Sequence, residues 1–217
     1  MNYTTILFDF DGTVFDTVEG ITRSVQYAAR KFGLDAELEE LRCFAGPPLL
    51  EMFEEKFGVD EAMARQLTAA FRERYNPIGL YECRVFPGVR ELTEHLRAAG
   101  KRVGIATSKP SRLAETLLRR EDMLPLFDVV SGAGDNGEGN AKCQVIQRAM
   151  EALGADKEST VLIGDTKYDV YGAAQVGIPC IGVAYGYALP GEMEEAGALC
   201  MVPDCESLEK LLLERDF

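Results

Sequence analysis

Short apolar runs alternate with amphipathic segments over most of the chain. The apolar runs occupy residues 4–10, 102–107, 129–132, 160–164, 180–183 and 200–202. Apolar positions at helical spacing fill residues 89–99, 111–120, 141–153, 168–176 and 207–213. Because strands that alternate with helices form a parallel sheet covered by helices, this pattern predicts an α/β core.

The pattern changes between residues 15 and 84. Helical periodicity runs through residues 18–32, 49–57 and 61–75, with no convincing strand. We interpret residues 15–84 as an inserted helical domain, and residues 1–14 and 85–217 as the core. Because both ends of the insertion join the core near the end of its first strand, a lid over a site there is favoured over a bundle that only thickens the fold.

Composition narrows the class of protein. The chain has 217 residues, is 47% hydrophobic and carries a formal net charge of −13. This charge disfavours binding to nucleic acid or to anionic membranes, which requires a basic surface. No apolar stretch has the length of a membrane span, so we expect a cytoplasmic protein. Its six cysteines are scattered, which favours free thiols over disulfides or structural zinc.

Two carboxylates follow the first apolar run. Asp9 and Asp11 are separated by Phe10 and precede Gly12. Because alternate side chains of an extended chain point the same way, Asp9 and Asp11 can face one small site while Phe10 packs on the opposite side. A calcium loop would need a third oxygen ligand before its glycine and a glutamate six residues later, which this sequence lacks. We therefore interpret the segment as a catalytic strand end.

The Asp-Phe-Asp-Gly-Thr segment at residues 9–13 resembles the first motif of the haloacid dehalogenase superfamily, in its phosphatase form. Residues 103–110, Lys142 and residues 161–169 resemble the three later motifs, in the same order. Residues 43–49 are similar to the phosphoglycolate phosphatase-like branch. The resemblance covers essentially the whole chain. It implies a Rossmann-like parallel-sheet core covered by helices, with an inserted α-helical cap domain.

The resemblance also implies a magnesium site. Asp9 and Asp165 would bind Mg²⁺ through their side chains, and Asp11 through its backbone carbonyl. Asp169, one turn after Asp165, would orient the metal's waters. So sparse a carboxylate set suits magnesium, which keeps water and substrate phosphate among its ligands.

The catalytic roles follow from the same resemblance. Asp9 would attack phosphorus and form an aspartyl-phosphate, which divides one difficult displacement into two easier steps. Asp11 would protonate the leaving alkoxide and later deprotonate the attacking water. Lys142, together with the metal, would neutralise the charge between the two anions.

Substrate contacts are expected in both parts of the chain. In the core, the Thr107 hydroxyl, Lys142 and backbone N–H groups near Phe10, Asp11 and Ser108 would hold the phosphoryl oxygens. In the insertion, Arg23 and the segment around Gly46 are the candidates for contacts with the leaving group. The glycine-rich stretch at residues 132–140 lacks the spacing of a nucleotide-binding loop, so we expect a flexible loop there.

The sequence thus predicts a magnesium-dependent phosphomonoesterase that acts on small phosphorylated metabolites as a monomer or homodimer. A nucleotidase or pyrophosphatase with the same mechanism, a sugar-phosphate mutase and a non-catalytic module that binds a phosphorylated ligand are the alternatives. The presence of Asp9, Asp11, Lys142 and Asp165 disfavours the non-catalytic module.

Overall fold

The computed structural model describes residues 3–134, 139 and 141–213. Residues 135–138 and 140, which belong to the loop expected at 132–140, lie outside the described residues. The chain divides into two compact units, one formed by Met1–Phe15 and Val85–Phe217 and the other by Asp16–Arg84.

A six-stranded sheet forms the centre of the first unit. The strands of the chain are β1 (Thr5–Phe8), β2 (Phe15–Asp16), β3 (Arg84–Val85), β4 (Arg102–Pro110), β5 (Val129–Ala133), β6 (Thr160–Gly164), β7 (Cys180–Val183) and β8 (Cys200–Val202). The six-stranded sheet has the order β5-β4-β1-β6-β7-β8, and β2 pairs with β3 separately. All neighbours in the larger sheet are parallel.

The strand order reverses at β1. From β1 the chain builds β4 and β5 on one side, then crosses to build β6, β7 and β8 on the other side. Phe8 pairs with Ile105 of β4 and with Ile163 of β6, so β1 and β6 end side by side. Ligands of open parallel sheets bind beyond the carboxyl ends of the strands at such a reversal, which is where Asp9 and Asp165 follow their strands.

Helices cover the sheet of the first unit. The helices of the chain are α1 (Val18–Lys31), α2 (Leu49–Phe57), α3 (Glu61–Tyr75), α4 (Val89–Ala98), α5 (Ser111–Arg120), α6 (Lys142–Leu153), α7 (Lys167–Val176), α8 (Glu192–Ala196) and α9 (Cys205–Leu213). Leu7 and Leu162 of the sheet belong to one buried cluster with Ile146 of α6 and Val170 of α7. This packing fixes the first turns of α6 and α7 against the sheet.

The second unit contains α1, α2 and α3. Val25 of α1 and Leu67 of α3 are fully buried, and the two helices pack against each other. Gly20 of α1 lies against the backbone of Gly79, where a Cβ would collide with the carbonyl oxygen. The unit therefore has an apolar core of its own.

The predicted fold class, a Rossmann-like parallel sheet covered by helices, is confirmed. The limits of the predicted core strands and helices lie within three residues of the observed ones. The expectation of no strand between residues 15 and 84 was wrong, because β2 lies at the start of this range and β3 begins at its last residue. Strands of two residues leave no alternation to detect. The five-residue helix α8 was not predicted either, since it is too short for a helical period. Within the described residues, no helix is both long and apolar enough to cross a membrane.

Candidate active site

Asp9 follows the last residue of β1 and is buried. Its backbone N–H donates a hydrogen bond to the carbonyl of Ile163 on β6, at 2.8 Å, which continues the ladder of the sheet one residue beyond β1. Its Oδ1 atom lies 2.6 Å from Nζ of Lys142. The strand thus presents the carboxylate at the carboxyl edge of the sheet with its orientation fixed.

A tight turn after Asp9 brings the first motif against β6. The carbonyl of Phe10 accepts hydrogen bonds from the N–H groups of Val14 and Phe15, both at 2.9 Å. Gly12 has a φ of +89°, and a Cβ there would collide with the carboxylate of Asp165. Phe10 is fully buried and stacks on Phe15 at 4.7 Å between ring centroids. The predicted core position of Phe10 agrees with this geometry, and the substrate contact of its backbone stays a prediction.

Asp165 follows β6 and is fully buried. Its Oδ1 accepts a hydrogen bond from the Thr13 hydroxyl, and its Oδ2 accepts one from the backbone N–H of Tyr187, both at 2.9 Å. Gly186 also lies so close that a Cβ would collide with this carboxylate. The turn after β1 and the loop after β7 therefore hold Asp165 from two sides.

Asp169 closes the first turn of α7. Its Oδ2 accepts hydrogen bonds from the N–H and the hydroxyl of Thr166, at 3.0 and 2.9 Å, and from the N–H of Asp165 at 3.2 Å. Its Oδ1 lies 2.8 Å from Nζ of Lys142. Asp169 thus fixes the turn that carries Asp165, and it also belongs to the same charged cluster.

Lys142 is the first residue of α6, and its side chain is nearly buried. Besides its contacts with Asp9 and Asp169, Nζ donates a hydrogen bond to the carbonyl of Ala106 at 3.2 Å. Gly172 of α7 leaves room for the Lys142 side chain, since a Cβ there would collide with it. Burial lowers the pKa of Lys142, but Asp169 and Asp9 outweigh burial and raise this pKa above its ordinary value. The two carboxylates thus favour the charged form of this lysine.

The cluster holds more negative charge than Lys142 balances. Carboxylate oxygens of Asp9, Asp165 and Asp169 lie within 4.8 Å of one another. Burial raises the pKa of Asp9 to about 7, with repulsion from Asp169 adding to the effect and Lys142 opposing it. Burial, together with Asp169 and Asp9, also raises the pKa of Asp165 well above its ordinary value. Three buried carboxylates beside one ammonium group are a donor set that fits a divalent cation.

The Asp11 side chain makes a contact that the sequence did not indicate. Nζ of Lys109, near the end of β4, lies 3.0 and 3.3 Å from the two carboxylate oxygens of Asp11. The same Nζ lies 5.8 Å from the centroid of the Phe10 ring. Lys109 is two residues after Thr107, and alternate side chains of a strand point the same way. This alternation is the feature of the sequence that could have indicated Lys109 as a site residue.

The remaining candidates for substrate binding lie in both units of the chain. Thr107 is buried in β4, and its Oγ accepts a hydrogen bond from the N–H of Lys109 at 3.1 Å. Ser108 lies beside it and is half-buried. Arg23 and Gly46 belong to the Asp16–Arg84 unit, so their contacts with substrate stay predictions.

Arg23 lies on α1 and is half exposed. Its guanidinium is 2.8 Å from a carboxylate oxygen of Glu19 and 3.9 Å from one of Glu82. Gly46, with a φ of +112°, follows a 3₁₀ helix at Leu38–Phe44. A positive φ there favours glycine for backbone reasons alone.

Comparison with known proteins agrees with the observed fold. Residues 6–183 match the family of haloacid dehalogenase-like hydrolases. A 5'-nucleotidase of Pseudomonas aeruginosa is 38% identical over 213 residues, which are 98% of this chain and 96% of that protein. The tyrosine-protein kinase PtkA of Mycobacterium tuberculosis is 33% identical over 84% of this chain, which spans 62% of the kinase.

A solved structure from Clostridium acetobutylicum, described as a predicted phosphatase, shares the fold with a TM-score of 0.93. It is 35% identical and covers 97% of this chain and 98% of its own. The chain belongs to the haloacid dehalogenase-like hydrolases, and proteins similar to it carry the name phosphatase. The predicted family and the predicted enzyme class are thereby confirmed.

Proposed function

We propose that this enzyme hydrolyses small phosphate monoesters through an aspartyl-phosphate on Asp9, with Mg²⁺ as its metal. The observation that carries the proposal is the cluster in which Lys142 bridges Asp9 and Asp169 beside Asp165. A buried carboxylate at the end of the central strand, with a cation on one oxygen, supports attack on an anionic phosphorus centre.

In the proposed mechanism, each residue of the cluster has its own role. Asp9 and Asp165 would hold the metal through their side chains, with Asp11 contributing its backbone carbonyl and Asp169 orienting metal-bound water. A bound Mg²⁺ supplies positive charge to the phosphoryl oxygens. Lys142 stabilises charge from the other side, because its Nζ already lies 2.6 Å from Asp9.

The proposed reaction has two steps. In the first, Asp9 Oδ attacks phosphorus, the P–O bond to the leaving group breaks, and Asp11 gives its proton to the leaving oxygen. In the second, Asp11 takes a proton from water as that water attacks the aspartyl-phosphate, which releases orthophosphate and restores Asp9. Thr107 and the N–H groups near Phe10, Asp11 and Ser108 hold the phosphoryl oxygens through both steps.

The substrate class follows from the relatives and from the insertion. The relative from Pseudomonas aeruginosa is called a 5'-nucleotidase, which supports nucleoside monophosphates beside phosphoglycolate-like acids as substrates. We propose that residues 15–84 form a helical cap that selects the leaving group. The net charge of −13 supports a partner other than nucleic acid or an anionic membrane. We further propose that the enzyme is cytoplasmic and works as a monomer or homodimer.

The test is orthophosphate release from a panel of phosphomonoesters, measured with MgCl₂ and again with EDTA. We expect the wild-type enzyme to turn over at least one small ester with MgCl₂, EDTA to abolish turnover, and Asp9→Asn to be inactive while folded. Equal release with EDTA, or an active Asp9→Asn variant, would contradict the mechanism. Transfer of phosphate to a second position of a sugar, with none released to water, would favour the mutase.

A further inference from the structure

Lys109 is a buried lysine that the proposed reaction does not use. Its side chain is 5% exposed, and its Nζ is within 3.3 Å of both carboxylate oxygens of Asp11. The Asp11 side chain is itself 15% exposed. Burying an ammonium group is costly unless it is paired, so this pair holds both side chains in one arrangement.

The backbone around Lys109 aims this side chain. The register between β4 and β5 shifts between Ala106 and Pro110, which marks an irregularity in the strand. Within it, the N–H of Lys109 donates to the Thr107 hydroxyl oxygen, at 3.1 Å. Irregularities of this kind redirect side chains next to active sites. Lys109 is therefore directed by local structure toward the motif that contains Asp9 and Asp11.

Each of the two aspartates of the first motif thus has its own lysine. Lys142 contacts Asp9, and Lys109 contacts Asp11. The two partners come from different elements, since Lys142 begins α6 and Lys109 lies in β4. Asp9 extends the β1 ladder, whereas Asp11 forms an isolated bridge with Phe15 in the turn that follows.

We propose that Lys109 is a positioning residue that holds the Asp11 carboxyl group in the orientation required for proton transfer. The inference rests on the proposed role of Asp11. As the P–O bond breaks, the proton moves from the Asp11 carboxyl to the leaving oxygen, and the carboxylate left behind lies 3.0 Å from the Lys109 ammonium. Lys109 thereby acts on the leaving-group step through Asp11.

The experiment compares Lys109→Met, Lys109→Arg, Asp11→Asn and the double variant Lys109→Met/Asp11→Asn in rapid-quench assays with MgCl₂. The substrates are an alkyl phosphate and p-nitrophenyl phosphate, whose leaving group needs little protonation. We expect Lys109→Met to slow phosphoenzyme formation from the alkyl ester by about 10- to 100-fold, the usual result of a misplaced catalytic group. The p-nitrophenyl ester should lose much less, and Lys109→Arg should recover part of the alkyl-ester rate.

The double variant decides whether Lys109 acts through Asp11. If it does, Lys109→Met adds little to the loss already caused by Asp11→Asn, because coupled residues are not additive. Equal losses for both esters, or additive losses in the double variant, would overturn the proposal. Failure of Asp11→Asn itself to discriminate between the esters would instead overturn the role of Asp11, so the two failures are distinguishable.

Controls separate positioning from folding. Lys101→Met removes a lysine that immediately precedes β4, where Nζ donates to the carbonyl of Tyr3, and it should leave both rates unchanged. Urea unfolding shows whether each variant is folded. If methionine at position 109 unfolds the enzyme, Lys109→Gln, which keeps a donor, is compared in the same way and the same outcomes apply.

Discussion

Burial and the neighbouring carboxylates change the pKa of Asp9, and this change affects both metal binding and stability. Its pKa in the folded protein is about 7, against an ordinary value of 3.8, and burial is the main cause. Under the proposed mechanism, the same residue must be ionised to attack phosphorus and to bind a cation. The buried carboxylates therefore favour the protonated state until a metal arrives, which links metal binding to the release of a proton.

This linkage predicts how stability depends on pH without metal. Because the folded state holds the Asp9 proton more tightly than the unfolded state, the stabilisation is complete below pH 3.8 and is lost as pH rises to about 7. In EDTA, the free energy of unfolding of the wild type should therefore fall relative to that of Asp9→Asn over this range. Urea unfolding at several pH values measures the difference.

Two controls accompany this prediction. Saturating MgCl₂ should reduce the fall for the wild type, since the cation replaces the proton, and should affect Asp9→Asn much less. A difference between wild type and Asp9→Asn that stays constant with pH would show that burial does not raise the pKa of Asp9.

At the scale of the element, the site depends on strand ends and on the turns that follow them. The turn after β1 approaches Asp165 so closely that Gly12 has no room for a side chain. Gly12 also has a φ of +89°, which an L-residue rarely adopts. The position of the Asp165 carboxylate therefore depends on the turn that carries Gly12.

Gly12→Ala should consequently damage both stability and metal binding. We expect a loss of about 1–3 kcal/mol from backbone strain, together with weaker Mg²⁺ binding because the Cβ displaces the Asp165 carboxylate. The matched control is Gly100→Ala, at a φ of +78° with no atom near the added Cβ, which should cost stability alone. Urea unfolding and titration calorimetry with MgCl₂ separate the two effects. Unchanged metal affinity in Gly12→Ala would show that this approach does not position Asp165.

The sequence predicted the core strands well, but not the shortest elements or every contact in the site. The apolar runs predicted the six core strands because each is long enough to show its pattern, whereas β2, β3 and α8 are too short. Asp9 and Asp165 could be expected to converge once β1 and β6 were taken as neighbours. The pairing of Lys109 with Asp11 could not be predicted, because it joins residues 98 positions apart and depends on the register shift near the end of β4.

At the scale of the whole molecule, the chain combines an α/β unit that contains the charged cluster with a separate helical unit. Under the proposal that residues 15–84 form a cap, specificity and chemistry are divided between the two units. Under the same proposal, a leaving group would meet the charge of Arg23 on α1, because exposed ion pairs such as that with Glu19 are weak enough to exchange for a ligand.

Arg23→Met should therefore change the ranking of substrates more than the rate of chemistry. We expect kcat/KM for esters with an anionic leaving group to fall about 10-fold, the value of one lost charge-assisted contact, with p-nitrophenyl phosphate nearly unaffected. Arg65→Met, which removes an exposed i,i+4 ion pair of α3, is the control. A uniform loss over all substrates by folded Arg23→Met would mean that Arg23 does not select the leaving group.

The central claim is that Asp9 carries the phosphoryl group during turnover. Rapid acid quenching of the wild-type enzyme during turnover with MgCl₂, followed by treatment with hydroxylamine and mapping of the modified peptide, tests it directly. We expect an acid-stable, hydroxylamine-sensitive phosphoprotein labelled at Asp9, and none in Asp9→Asn. A phosphoenzyme that forms normally in Asp9→Asn, or a label on another residue of the wild type, would contradict it.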